Sequence, residues 1–199
     1  MLTKRIIQQF PRIISYLDIS GSEDLETCFL LTGKPRAGKS TAIKQIIQKV
    51  GPEYFGGFYT EEIRNLTNRT GFNCVTLNGE NACIANVDSE SSIRIGRYGV
   101  DVEAFENVAL KAVELSLETK RITVIDEIGF MQMLSAPFEK KIHEVISSSR
   151  HVFIGTICVD SHPSIDKIKK LPGIKLYHLN EENRELITEI VANDILKFL

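Results

Sequence analysis

The sequence predicts an α/β fold, a mainly parallel sheet covered by helices on both faces with a β-hairpin-rich segment at one edge. Three observations carry this. From residue 27 onward, short apolar runs alternate with amphipathic helical stretches. One run, 27-TCFLLT-32, leads straight into the glycine-rich loop 33-GKPRAGKST-41. Another, 122-ITVID-126, ends in two adjacent acids, Asp126 and Glu127.

The elements follow in order. Leu2, Ile6, Phe10, Ile13, Ile14 and Leu17 recur at helical spacing, and Pro11 predicts a kink or break among them. The polar stretch 18-DISGSEDLE-26 reads as a linker. Residues 1–26 are therefore expected to form a helical appendage that docks on the core or binds a protein partner. Residues 27–199 form the main domain. After the loop, a helix runs from Lys39 to about Val50, stopped by Gly51-Pro52. Residues 56–63, 72–77 and 82–87 read as strands, with Asn78-Gly79 as a hairpin turn. A helix follows over about Asp101–Thr119, with Phe105, Val108, Ala109, Ala112 and Val113 on one face. Beyond the strand at 122–126, Ser135 can cap a helix that carries Pro137 in its first turn and ends near Ser148. The run 151-HVFIGTI-157 is a further buried strand. A short helix at 164–170, a strand at 174–179 and a helix at 181–198 complete the chain.

Composition excludes several classes. Hydrophobic residues make up 43% of the 199 and charged residues 25%, ordinary values for a globular chain. The net charge of −2 gives no basic field for nucleic acid. No apolar run approaches the ~20 residues of a membrane span, and the N-terminus lacks a signal-peptide pattern. The expected location is the cytoplasm, and the expected state a monomer. Cys28, Cys74, Cys83 and Cys158 are widely spaced and read as reduced core thiols rather than a zinc site. His143, His151, His162 and His178 are isolated, and 167-KIKK-170 reads as a solvated helix face.

The loop carries the chemistry. Gly33 to Ser40 fits GxxxxGK[ST], the Walker A pattern, in the strand–loop–helix setting that gives the pattern meaning. Glycines let successive backbone N–H groups turn inward toward phosphate oxygens, and the helix N-terminus adds partial positive charge. Gly33, Lys34, Pro35, Arg36, Ala37, Gly38, Lys39, Ser40 and Thr41 are thus the candidate nucleotide-binding residues. Lys39 supplies charge to the β- and γ-phosphates, and the Ser40 hydroxyl is a ligand for Mg²⁺. Asp126 ends a Walker B-type strand and is the second metal candidate. Glu127 is placed to orient a water for in-line attack, or else is a solvated loop carboxylate. Charge on the γ-phosphate calls for a further cation, with Arg36, Arg64, Arg69 and Arg97 as candidates and Arg36 and Arg97 as the leading two. Tyr98, beside Arg97 in a glycine-flanked turn, reads as half-buried or as a base platform. Thr156, ending its strand, reads as a γ-phosphate sensor or a plain strand-end residue.

Together with 57-GFYTEEIRN-65, 69-RTGF-72, 96-GRYGVDVEAFE-106, 122-ITVIDEIGFM-131 and 162-HPSIDKIKKLPGIKLYHLNEENRE-185, the loop resembles the thermophile-type nucleoside-triphosphatase family. The stretches occur in the family's order and cover nearly everything after residue 26. The resemblance implies a three-layer P-loop fold of the RecA/AAA-like type, with an additional strand and a catalytic glutamate. It implies Mg²⁺-dependent hydrolysis of nucleoside triphosphates to diphosphate and phosphate with broad base tolerance. Lys39, Ser40 and Thr41 would handle phosphate and metal, Asp126 the metal and Glu127 the water. The chain departs from the family in having Arg36 where glycine is usual, and Phe130-Met131-Gln132 where Lys-Met-Glu is usual.

Two other readings stand beside hydrolysis. The string RAGKST resembles the phosphate loop of some thymidylate kinases, which supports a nucleotide or nucleoside kinase. The N-terminal helix supports a slow nucleotide-dependent switch that binds a partner. No base-reading NKxD motif is present.

Overall fold

The structure, a computed structural model, describes residues 26–66, 68–147 and 151–199. The predicted N-terminal helix and most of its linker lie outside the described residues. Among the described residues no helix is long and apolar enough to cross a membrane.

The order of elements is β1 (Cys28–Thr32), α1 (Lys39–Val50), β2 (Phe55–Asn65), β3 (Asn68–Thr76), β4 (Asn81–Asn86), β5 (Arg94–Ile95), β6 (Tyr98–Val100), α2 (Val102–Thr119), β7 (Ile122–Ile128), α3 (Ala136–Ile146), β8 (Val152–Ile157), α4 (Pro163–Ile168), β9 (Ile174–His178) and α5 (Arg184–Leu196). The described strands join one sheet in the order β5-β6-β4-β3-β2-β7-β8-β1-β9. From β2 to β9 neighbours run parallel. From β2 outward to β5 they run antiparallel. The additional strand is β8, which lies between the loop strand β1 and the acidic strand β7.

Alternation along β1 shows why the sheet is covered twice. Cys28 and Leu30 pack with Phe105 and Val113 of α2, Phe138 and Ile142 of α3, and Ile165 of α4. Phe29 and Leu31 point the other way, onto Ile43 and Ile46 of α1 and Val191 and Ile195 of α5. Strands buried on both faces read as continuous apolar runs, as β1, β7 and β8 do. A smaller cluster of Ala85, Tyr98 and Val100 sits under the antiparallel edge.

Three readings need correction. The segment 94–100 is a tight β5–β6 hairpin rather than only a turn before a helix. The last helix starts at Arg184, because Asn180 and Asn183 exchange turn hydrogen bonds with backbone N–H groups ahead of it. Of the four cysteines only Cys28 and Cys74 are buried. Burial pushes the Cys74 thiol up to about 12 and the Cys28 thiol higher. Cys83 is exposed and Cys158 half-buried. Ser135 does cap α3, accepting from the N–H of Phe138 at 3.1 Å.

Candidate functional site

A cleft of about 860 Å³ opens at the C-terminal ends of the parallel strands. Open α/β sheets present their ligand crevices at this end. One wall is the phosphate loop, the other the β2–β3 hairpin with the β5–β6 turn.

The loop wall is shaped by backbone conformation. Gly38 caps α1 with φ 88°, and Arg36 also has a positive φ, 69°. Glycine is required at 38 twice over. Its φ is in the left-handed region, and a Cβ there would come within 2.6 Å of Cδ of Arg184, at the first turn of α5. Lys39 lies along the loop, its Nζ donating to the Gly33 carbonyl at 3.0 Å. Pro35, Arg36, Gly38, Lys39, Ser40 and Thr41 line the cleft. Gly33, Lys34 and Ala37 border only a separate hollow on the loop's far side, beside His178 and Leu179.

The floor is the end of β7. Asp126 is 3% exposed and accepts from the Thr156 hydroxyl at 2.5 Å. Burial raises its pKa, while the hydroxyls of Thr156 and Ser40 and the charge of Lys39 act against the rise. Thr156 does not line the cleft, so its hydroxyl orients Asp126 from behind. Glu127 is half-buried in the cleft. Burial raises its pKa, and the nearby charges of Asp126 and Asp160 add to the rise. It is not a solvated loop carboxylate. The floor offers a metal two oxygen donors of the right kind, the Ser40 hydroxyl and the Asp126 carboxylate. Magnesium is commonly held by one or two carboxylates with substrate phosphates and water completing the shell, so these residues fit it.

The hairpin wall is built from side chains. Thr60, Glu62 and Arg64 alternate along β2 and line the cleft. Glu62 accepts from Arg69 at 2.8 Å and from Arg64 at 2.9 Å. Burial works against the Glu62 charge, but these guanidinium bonds outweigh it and hold the carboxyl below its usual range. Arg69 also donates to the Tyr98 hydroxyl at 2.9 Å and lies over the Phe72 ring at 4.9 Å. Arg97 donates to the same hydroxyl at 3.2 Å and to the Arg69 carbonyl. The Tyr98 ring is buried against Phe72, 5.2 Å between centroids. It is a post for two arginines rather than a base platform. At the two departures from the family pattern, Phe130 packs on the His162 ring, and Gln132 is buried with its amide 3.5 Å from the Thr60 hydroxyl.

The structure thus brings all four candidate arginines, both acids and six of the nine loop residues, Pro35, Arg36, Gly38, Lys39, Ser40 and Thr41, into one cleft. Sequence reading missed Glu62, Phe72 and Arg184. The alternation of Thr60, Glu62 and Arg64 was a period-two signal for a polar strand face. No local signal links Arg184 to Gly38.

A phosphate loop on β1, an acidic β7 and the intervening β8 define a P-loop fold of the additional-strand class. The chain belongs to the NTPase family, whose sequence profile matches residues 28–192. It is 38% identical to nucleoside-triphosphatase THEP1 of Thermotoga petrophila over 170 residues, 85% of this chain and 92% of that protein. The crystal structure of THEP1 from Aquifex aeolicus superposes with a TM-score of 0.76 at 32% identity, covering 82% of this chain and 95% of that one. The solution structure of a human cancer-related nucleoside triphosphatase gives 0.70 at 30% identity, covering 85% and 97%.

Proposed function

We propose that the chain is a magnesium-dependent nucleoside-triphosphatase that hydrolyses nucleoside triphosphates, ATP and GTP among them, to diphosphate and phosphate. The observation that carries this is the position of Glu127, which shares the cleft with the phosphate loop and stands beside the buried Asp126. Loop N–H groups and Lys39 bind the β- and γ-phosphates. Ser40 and Asp126 would hold Mg²⁺, which would supply charge neutralisation on the phosphate oxygens when bound. Glu127 takes a proton from a water whose oxygen attacks the γ-phosphorus. The bond to the bridging oxygen breaks, and the diphosphate leaves. Arg36, which lines the cleft from the loop, is the candidate to offset charge developing on the transferred group.

The test is phosphate release from ATP and from GTP, by the wild type and by Glu127→Gln. The expected loss is at least ~100-fold, the range of a general base. Equal rates would remove Glu127 from this role.

A further inference from the structure

The positive charge of the cleft is divided between its two walls, with the acids Asp126 and Glu127 on the floor between them. Lys39 and Arg36, with the α1 N-terminus, face the residual charge of a metal-bound triphosphate. Across the cleft, Arg64, Arg69 and Arg97 face a single carboxylate, Glu62. Three guanidinium charges against one carboxylate leave two positive charges on the hairpin wall. A phosphomonoester carries about −1.5 to −2 at neutral pH and matches that charge.

This wall is a built site. The Tyr98 hydroxyl, on a residue 7% exposed, accepts from Arg69 at 2.9 Å and from Arg97 at 3.2 Å. Arg69 is further held over Phe72 and against Glu62. Guanidinium groups held in place lose less freedom on binding phosphate. The placement is directional too. Tyr59 of β2 pairs with Asp126 of β7, so Thr60, Glu62 and Arg64 continue past the acidic strand. The arginine wall therefore begins beside Glu127, where the reading above puts the γ-phosphate.

We propose that the arginine-lined half of the cleft binds a second substrate, a phosphomonoester that also bears a hydroxyl, and that the enzyme passes the γ-phosphoryl group to that hydroxyl as well as to water. The acceptor oxygen forms the new bond to the γ-phosphorus, and the bond to the bridging oxygen breaks. The nucleoside diphosphate leaves with the bond electrons, and Glu127 takes the hydroxyl proton. This rests on the placement of the triphosphate given under Proposed function.

The experiment is phosphorus NMR of the wild type with ATP and magnesium, in the presence of nucleoside monophosphates, sugar phosphates or glycerol phosphate in turn. One of these classes is expected to gain a second phosphoryl group at least about tenfold faster than free phosphate appears. For that acceptor, Arg69→Gln is expected to raise KM about tenfold more than it raises KM for ATP, the loss of one charge-assisted pair. Calorimetry on the wild type with a non-hydrolysable triphosphate should also detect binding of methyl phosphate. Steady phosphate release with no transfer to any acceptor overturns the proposal and leaves hydrolysis standing, as does the absence of methyl phosphate binding. Turnover only with an acceptor supports the proposal and rejects water as the natural nucleophile. No turnover of triphosphate under any condition rejects both.

Discussion

The two walls of the cleft are made in different ways. The loop wall is one unbroken stretch, residues 35–41, whose shape comes from backbone angles at Arg36 and Gly38. The hairpin wall takes Glu62 and Arg64 from β2, Arg69 and Phe72 from β3, and Arg97 from the β5–β6 turn, and joins them through side-chain hydrogen bonds. A backbone site binds what every nucleoside triphosphate shares. A side-chain site can be retuned one residue at a time. On the function proposed above, nucleotide affinity would rest on the first wall and selectivity for whatever meets the γ-phosphate on the second.

The largest expected effect strikes the loop wall. Lys39→Ala should weaken binding of a non-hydrolysable triphosphate about 100-fold, the loss of one strong charged hydrogen bond, measured by calorimetry. A loss of the same size from Arg69→Gln would break the division of labour. The next tests the support behind the floor. Thr156→Val removes the hydroxyl that donates to Asp126. The magnesium concentration for half-maximal turnover should rise about tenfold, as for other groups that orient a metal ligand. Lower turnover at saturating magnesium, with no change in that concentration, would make Thr156 a phosphate sensor instead.

These differences explain how much could be read from the chain. The loop, Asp126 and Glu127 were legible because each is a local pattern on a strand end. The sheet's two-sided burial was legible because β1, β7 and β8 lack polar alternation. The four arginines could be named as candidates but not joined. Arg69 meets Tyr98 only because β3 and β6 both pair with β4, and that pairing is set by tertiary packing. The contact of Arg184 with Gly38 depends on α5 returning beside α1, which no local spacing encodes. Phe130 looked like a lost charge, and the structure shows an aromatic residue packed on His162.

Within the loop, Arg36 puts a side chain at a backbone position that favours glycine. Its φ of 69° is unfavourable for a residue with a Cβ, at a cost of about 1–2 kcal/mol. Arg36→Gly should therefore raise the melting temperature by a few degrees, about 2–4 °C per kcal/mol in a chain of this size. It should lower turnover about fivefold to tenfold, within the usual worth of a charge-assisted hydrogen bond, and weaken nucleotide binding less. A stabilised variant with undiminished turnover would show a side chain that only points to solvent, leaving the hairpin wall to supply the second cation.

The smallest effect follows from Glu62, the one carboxylate of the hairpin wall. Its pKa is lowered in the folded protein, with the bonds from Arg69 and Arg64 overcoming burial. The unfolded chain then binds the proton more tightly than the folded one. The stabilisation is present above the ordinary Glu value of about 4.3 and is lost as pH falls through the lower folded value. Once Glu62 is protonated, Arg64 and Arg69 lose their shared partner and the wall loosens, while the backbone-built loop wall has no such group. Amide exchange protection over residues 60–66 and 68–76 should therefore fall more steeply than that of α1 as pH drops below the ordinary Glu value. Both ion pairs are well exposed, 38–50% by side chain, so the effect is modest and salt weakens it further. Glu62→Gln should flatten the difference between the two walls. If the hairpin loosens on acidification to the same degree in that variant, Glu62 does not hold the arginines in place, and Tyr98 is left as their anchor.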